Sequence, residues 1–247
     1  MKTNLKFLIK LGLLLGLCGI FAICTLPKPI LDFYFETVDT ERLGESDTPL
    51  CDFNENGTHD AADILAGAKL DAANMPEYDG SYHENGYPPD DIGVCTDVVW
   101  RAFRTAGYSL RRMVDLDVKN RPEAYPNISE PDDNIDFRRV VNLRVFFEAH
   151  AISLTTDPGD TDQWQAGDIV VFRDKNGRPC HVGIISDKRT DDGRAYLIHN
   201  SGQAERDEDV LLNMPIAGHY RFDASRVDSS LLIPWGEADE KDLPVKG

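Results

Sequence analysis

The chain is predicted to be an α+β protein with helices in its first part and an antiparallel sheet in its second. In the first half, apolar residues recur at helical spacing, as at Ile64, Leu65, Ala68 and Ala72. After residue 168 the pattern changes to short β-branched and aromatic runs bounded by Gly, Asp and Lys. Helices followed by a strand meander are typical of this class, and 247 residues suffice for one compact domain with additions.

The N-terminus has the pattern of an export signal. Lys2, Lys6 and Lys10 precede an apolar stretch that ends at Pro27, and these residues include no acid. The stretch approaches the roughly 20 residues of a membrane-spanning helix and has no clear cleavage site, which favours an uncleaved anchor over a cleaved signal peptide and secretion. Because the lysines come first, the rest of the chain is expected outside the cytoplasm. Residues 1–27 are the predicted anchor in the cell membrane, and residues 28–51, which lack periodicity, are a predicted stalk.

The composition restricts the partners and the chemistry of the cysteines. A net charge of −17 argues against nucleic acid and anionic membrane surfaces as partners, while it would attract divalent cations. Of five cysteines, two lie in the anchor, which leaves Cys51, Cys95 and Cys180. Three cysteines cannot all pair, so at least one thiol stays free where disulfides can persist. A Cys51–Cys180 bridge that spares Cys95 remains an alternative.

A predicted calcium-binding loop, residues 52–63, precedes the first helix. Its oxygen-bearing residues follow the spacing of an EF-hand loop, with a Gly at position six. They are Asp52, Asn54, Asn56, the carbonyl of Thr58, Asp60 and Asp63. The loop resembles dockerin-type loops, which also carry Asp at position twelve and lead directly into a helix. We expect a structural Ca²⁺ that ties the stalk to the core, with an Asx-rich turn as the alternative; no organic cofactor is expected.

The regular elements of the main domain follow from periodicity and from Gly, Pro and Asp breaks. Helices are predicted at 61–73, 94–106 and 140–149, loops at 78–91 and 125–134, and strands at 169–172, 182–186 and 196–199. The predicted domain spans residues 61–230 and is followed by a polar tail, residues 231–247.

Cys95 lies where a loop gives way to the second predicted helix. The apolar residues Val98, Val99, Ala102 and Phe103 share its face of that helix, so the thiol is expected to point toward the core. A helix N-terminus stabilises a thiolate and provides backbone N–H groups for an oxyanion, as an acyl-transfer nucleophile requires. The alternative is that Cys95 is a small buried hydrophobic residue.

Two histidines on the later strands give that thiol a partner. His181 opens one predicted strand and His199 closes the next, so an antiparallel meander can set the two rings side by side. An imidazole beside a thiol can take its proton, and a second polar group then fixes the tautomer of the first ring. Asn200 ranks behind His199 for this second role, and Cys180 is expected to pack on the opposite face of its strand. The alternatives are satisfied core histidines, or a zinc site made of Cys95, His181 and His199 without a clear fourth ligand.

The order of these motifs resembles two related groups of bacterial proteins. A helix-borne cysteine followed by GDIVVF, HVGIIS and IHN looks like the NlpC-type branch of the papain-like fold, whose members cleave bacterial cell-wall peptides. More closely, GVCTDVVWRAF, NIDFRRVVNL, WQAGDIVVF, HVGI, IHN and GHYRF resemble the bacterial domain-of-unknown-function family numbered 1287, over residues 61–223. The resemblance implies a papain-like core in which the nucleophile helix packs on an antiparallel sheet.

The resemblance also implies roles for individual residues. Cys95 matches the nucleophile, His181 the general base and His199 the orienting residue. The NlpC pattern has Asp before the cysteine and Ser-Gly after it, whereas this chain has Val94 before it and Thr96 and Asp97 after it.

The predicted substrate-binding residues are Asp97, Arg138 and Arg139. A guanidinium group is suited to a substrate carboxylate because it can donate two parallel hydrogen bonds. A structural ion pair is the alternative for the arginines. The sequence thus predicts an exported cysteine amidase or endopeptidase that acts on cell-wall peptide or a related amide. The alternatives are a thiol acyltransferase and a calcium-dependent binding or scaffold domain on an inactive papain-like fold.

Overall fold

The computed structural model describes residues 51–244, and it confirms the α+β class. These residues form five α-helices and a six-stranded antiparallel sheet. The predicted anchor and all but the last residue of the predicted stalk lie outside the described residues. Between residues 51 and 244 no helix is long and apolar enough to cross a membrane.

The helices come mainly before the sheet, as predicted. They are α1 (Asp60–Asn74), α2 (Cys95–Thr105), α3 (Leu110–Asn120), α4 (Val140–His150) and α5 (Glu237–Asp242). Three of them match the predicted helices to within one or two residues, whereas α3 and α5 were not predicted. α1 packs closely on α2 at Gly67, where an added Cβ would lie 2.7 Å from the Cα of Ala102.

The sheet follows the helical part and has the strand order β3-β8-β4-β5-β6-β7. Its strands are β3 (Ile152–Ser153), β4 (Ile169–Arg173), β5 (Pro179–Arg189), β6 (Ala195–Ile198), β7 (Asp207–Glu208) and β8 (Ile216–Arg221). All neighbours in it are antiparallel. A separate parallel pair, β1 (Glu77–Tyr78) and β2 (Ile92–Gly93), lies just before α2. The three predicted strands correspond to β4, β5 and β6.

The two faces of the large sheet belong to different apolar clusters. Val171 and Val182, which pair across β4 and β5, belong to the main core with residues of α1 to α4; we call this side the helix face. Phe172 pairs with His181 and points to the other side, where Phe172 joins a smaller cluster with Trp164 and others; we call this side the outer face. Neighbouring residues of β5 therefore present their side chains to two different environments.

The C-terminal segment corrects the predicted polar tail, residues 231–247. Leu231 is buried in the main core, and the indole of Trp235 stacks on that of Trp100. The carboxylate of Asp239 is buried and accepts hydrogen bonds from the hydroxyl groups of Tyr87, at 2.9 Å, and Ser109, at 2.5 Å. The many acids of this segment suggested a solvated tail, but the segment completes the domain up to at least residue 242.

Candidate active site around Cys95 and the His181–His199 pair

Cys95 is the first residue of α2, and its thiol lies against the start of β5. The backbone N–H groups of Val182, Thr96 and Cys95 itself lie near the sulfur and stabilise a thiolate, but burial outweighs them. The pKa of the Cys95 thiol is consequently raised to about 12, with the nearby carboxylate of Asp97 adding to the effect of burial. At neutral pH the thiol is therefore protonated.

A buried ion pair fixes the first turn of α2. The Asp97 carboxylate accepts from the backbone N–H of Val94 at 2.7 Å and from the indole N–H of Trp100 at 2.7 Å. It also accepts two hydrogen bonds from Arg138, at 2.8 Å from Nε and 3.0 Å from Nη2. The side chains of Asp97 and Arg138 are 0% and 1% exposed. The pair links the turn that carries Cys95 to the segment before α4.

This pairing differs from the substrate-binding role predicted for Asp97 and Arg138. All three guanidinium nitrogens of Arg138 are used, because Nη1 donates to the carbonyl of Ser81 at 2.8 Å. Neither side chain of the pair has a free edge for a substrate carboxylate, so the structural ion pair is the better description. Arg139 is different: it is exposed, and its side chain makes no hydrogen bond or ion pair within residues 51–244.

The rings of His181 and His199 lie side by side, as the strand order predicts. Nε2 of His181 is 2.8 Å from Nδ1 of His199, and the ring planes are nearly perpendicular. Burial lowers the pKa of both histidines to about 4; His199 contributes to the lowering at His181, and Arg206 to that at His199. Both rings are therefore neutral at pH 7, so one nitrogen of each carries a proton and the other accepts.

Two residues that sequence reasoning missed support this pair. Oε1 of Glu208 lies 3.4 Å from Nε2 of His199, because β7 pairs with β6 and brings Glu208 opposite Leu197. Nε2 of Gln203 lies 3.3 Å and 3.1 Å from the two ring nitrogens of His199, which places it over the ring rather than in its plane. Glu208 stands in an acid-rich run without periodicity, so the sequence carried no signal for it.

One arrangement of protons satisfies the contacts between the two rings and between His199 and Glu208. If His199 directs its Nε2–H toward Glu208, its Nδ1 accepts from the Nε2–H of His181. Nδ1 of His181 is then unprotonated, and no residue of the described chain hydrogen-bonds to it. His181 therefore has a nitrogen available to act as a base.

Asn200 does not belong to this cluster, which corrects its prediction as a reserve third member. Its amide donates to the carbonyls of Pro76, at 3.2 Å, and Gly93, at 3.0 Å, and its oxygen accepts from the N–H of Gly202 at 3.0 Å. Asn200 is fully buried and ties the loop after β6 to the strands β1 and β2. His199 holds the position beside His181.

The thiol and the imidazoles approach the same end of β5 from two sides. Cys95 belongs to the core on the helix face and contacts Val182, while the adjacent His181 belongs to the outer face. In the described part of the chain no hydrogen bond joins the Cys95 sulfur to either histidine. The strand order thus brings the predicted groups to neighbouring positions of one strand without direct contact between their side chains.

Two clefts meet at this point. The thiol cleft, of about 370 Å³, is lined among others by Cys95, Tyr78, Arg139 and Arg178. The imidazole cleft, of about 450 Å³, is lined by His181 and His199 together with apolar side chains such as Phe172. Cys180 lines both clefts and is exposed, so the prediction that it packs is wrong.

Among the described residues, no cluster of His, Cys, Asp and Glu side chains forms a ready metal site. No set of three or more of these side chains between residues 51 and 244 is arranged to hold an ion. The alternative zinc site of Cys95, His181 and His199 is therefore not formed there. Cys51, Cys95 and Cys180 are free, so the alternative Cys51–Cys180 bridge is not formed.

Comparison with known proteins gives relatives without an assigned activity. The model of the family described as domain of unknown function DUF1287 matches residues 65–222. The uncharacterized protein YijF of Escherichia coli strain K12 is 39% identical over 166 residues, which cover 64% of this chain and 80% of YijF. No solved structure matches the chain.

Proposed function

The chain belongs to the DUF1287 family, and we propose that it is an exported cysteine hydrolase that cleaves an amide through Cys95, His181 and His199. One observation carries the proposal: the Cys95 thiol contacts the backbone N–H of Val182, the residue that follows His181 on β5, and the His181 ring is itself oriented by His199. A nucleophile, a base and an orienting group therefore share one end of β5.

The reaction starts from neutral groups. The thiol and the imidazole are not in contact in the structure, so the proposed step requires that substrate binding brings them together at the end of β5 where the two clefts meet. Nδ1 of His181 then takes the thiol proton as the sulfur attacks the carbonyl carbon, and the N–H groups at the start of α2 stabilise the oxyanion. The C–N bond then breaks, and His181 returns the proton to the leaving amine. Water, deprotonated by His181, cleaves the thioester and regenerates the thiol. The contact with His199 holds the Nε2–H of His181 in place, so that Nδ1 remains the basic nitrogen throughout.

The arginines of the thiol cleft support a substrate that carries a carboxylate. Arg139 and Arg178 are both exposed and line the cleft beside Cys95, although the chain as a whole has a net charge of −17. Local positive charge in an acidic protein favours an anionic ligand at this place. Peptides of the bacterial cell wall carry free carboxylates and are the proposed substrates, in line with a papain-like, NlpC-type core.

The proposed location rests on the sequence of residues 1–27. Three lysines followed by an apolar stretch favour an anchor in the cell membrane with the domain on its outer side. There the domain would have access to cell-wall peptides.

The test is turnover of cell-wall peptide fragments by the full-length chain, followed by mass spectrometry of the products. We expect a new carboxylate and a new amine, with water as acceptor even when a free amine is added. Cys95→Ala and His181→Ala should each lower kcat/KM by at least about 10³-fold, because the thiol and its base act as a unit. Arg139→Met should raise KM with a smaller change in kcat.

Cys180→Ala is the matched control: it removes the exposed thiol next to His181, which takes no part in the proposed reaction, and should lower kcat/KM far less than Cys95→Ala. Transfer of the acyl group to the added amine would instead indicate an acyltransferase. If the wild type and Cys95→Ala bind the same peptides equally well and neither cleaves them, the protein is a binding domain.

A further inference from the structure

The loop before α1, residues 52–63, is folded around its own polar side chains. Asp52 accepts hydrogen bonds from the backbone N–H groups of Asn56, at 3.0 Å, and Gly57, at 2.8 Å. Asn54 also accepts from the N–H of Asn56, at 3.1 Å. The backbone has φ of 55° at Glu55 and 90° at Gly57, which turns the loop sharply. The residues at positions one, three and five are thereby held on one side of a tight turn.

Asp63, at position twelve, has a buried oxygen without a partner. The side chain is 0% exposed, and Oδ2 accepts from the amide groups of Asn54 and Asn56, each at 3.0 Å. Oδ1 is buried and has no hydrogen-bond partner among the described residues. A buried carboxylate oxygen left unpaired is strongly unfavourable unless a cation or a donor meets it.

The two asparagine amides stand where a cation would bridge these oxygens. Both NH₂ groups point at the Asp63 carboxylate, and a half-turn of each amide exchanges its nitrogen for its oxygen. After that exchange, three side chains present oxygen to the same point. Five or more oxygen ligands at this spacing, with Gly at position six and a helix entered at position nine, suit Ca²⁺.

We propose that residues 52–63 bind one Ca²⁺ ion through Asp52, Asn54, Asn56, the carbonyl of Thr58 and Asp63. Asp60 is not a direct ligand, which corrects its prediction: its carboxylate accepts from the N–H of Phe53, at 2.9 Å, and from the hydroxyl of Tyr108, at 2.5 Å. Position nine of such loops commonly acts through a water molecule, so the remaining set is sufficient.

The ion would brace the nucleophile helix from its far end. Asn54 lies against the far end of α2, because its amide as it stands donates to the carbonyl of Thr105, the last residue of that helix, at 3.0 Å; the half-turn toward the ion would give up this hydrogen bond in exchange for coordination. The ring of Phe53 stacks on that of Tyr108 with centroids 4.2 Å apart, just beyond the same helix end. Ca²⁺ thus stabilises the packing of the loop on α2 while it remains distant along the helix from Cys95.

The test is thermal unfolding and calorimetric titration of the full-length chain with CaCl₂ after removal of metal by a chelator, and separately with MgCl₂. At about 100 times the Kd, Ca²⁺ should raise Tm on the order of 5–10 °C, with a Kd of about 10⁻⁴ to 10⁻³ M. Asp63→Asn and Asp52→Asn should each lower the Ca²⁺ affinity at least tenfold. Mg²⁺ should give a smaller shift, because it requires a stricter octahedral geometry.

Asp228→Asn is the matched control, because Asp228 makes the same kind of side-chain turn elsewhere on the surface and should leave the calcium response unchanged. Asp63→Asn keeps the shape of the side chain and should fold without metal. A variant that unfolds cooperatively but shows no Ca²⁺-dependent Tm shift has therefore lost calcium binding and not the fold. The proposal is overturned if the wild type shows neither a Tm shift nor heat of binding at 10 mM CaCl₂ (roughly ten times the upper Kd), or if both loop variants keep the full response.

Discussion

On the helix face of β5 an ion pair lies beside the nucleophile, whereas on the outer face the base and its orienting group are two neutral imidazole rings. Asp97 and Arg138 form a buried ion pair with two hydrogen bonds, and further hydrogen bonds from Val94 and Trp100 and to Ser81 use the rest of both groups. His181 and His199 are held together as uncharged rings, because burial lowers the pKa of both. The nucleophile is therefore placed by a buried ion pair, and the base by a contact that depends on pH. The comparison shows that one strand can separate two electrostatic environments. The ion pair on one side is disrupted by removing a charge, and the neutral pair on the other side by adding protons.

The largest expected effect is on the charged side. Asp97→Asn should lower the free energy of unfolding by about 3–5 kcal/mol, because it leaves the buried Arg138 guanidinium without a countercharge. The measurement is urea denaturation at pH 7. Arg139→Met is the control and should change the free energy of unfolding by less than about 0.5 kcal/mol, since this arginine is exposed. A loss below about 1 kcal/mol for Asp97→Asn would mean that charge does not hold the start of α2.

The second effect is on the neutral side and follows pH. The histidines have a pKa of about 4 in the folded chain against 6.5 as the ordinary value, so the unfolded chain binds protons first as pH falls. Folding stability should consequently decrease between pH 6.5 and pH 4, and at pH 5 by about 1–2 kcal/mol for each histidine. Urea midpoints at pH 7 and pH 5 measure this loss. The double variant His181→Gln/His199→Gln should show a flatter dependence; equal slopes for both proteins would contradict a neutral pair.

The smallest effect concerns the thiol shared by the two clefts. Cys180→Ser should change the free energy of unfolding by less than about 0.5 kcal/mol, because the side chain is exposed. In the native wild type at pH 8, iodoacetamide should label Cys180 at least about tenfold faster than Cys95, whose pKa is raised to about 12 by burial. Peptide mapping gives both rates. Faster labelling of Cys95 would show a preformed thiolate and imidazolium, and the contrast between a charged and a neutral side would then be wrong.

The parts of the fold that could be predicted are those with a long apolar period. α1, α2 and α4 repeat their apolar residues over three turns, and their predicted limits agree with the structure to within one or two residues. β3 and β7 have two residues each and no period to detect. The C-terminal segment was misjudged because its acids were given more weight than Leu231 and Trp235, which pack in the core, and because the buried Asp239 cannot be distinguished by sequence from its solvated neighbours.

The candidate site also has a part that the sequence predicted and a part that only the folded chain shows. The pairing of His181 with His199 follows from strand order, because neighbouring antiparallel strands bring the end of one beside the start of the other. Asp97 and Arg138 are separated by 41 residues, so only the folded chain shows that they neutralise each other rather than a substrate. The position of Cys95 on one face of β5 and His181 on the other likewise depends on strand register, which no local pattern fixes.

Asp239 also affects when the domain can finish folding. It supplies the hydrogen-bond acceptor for Tyr87 and Ser109, which precede it by 152 and 130 residues. Until that acid has been synthesised, two buried hydroxyl groups of the domain lack their acceptor. The buried region around Tyr87 and Ser109 is therefore complete only when the C-terminal segment has joined the domain.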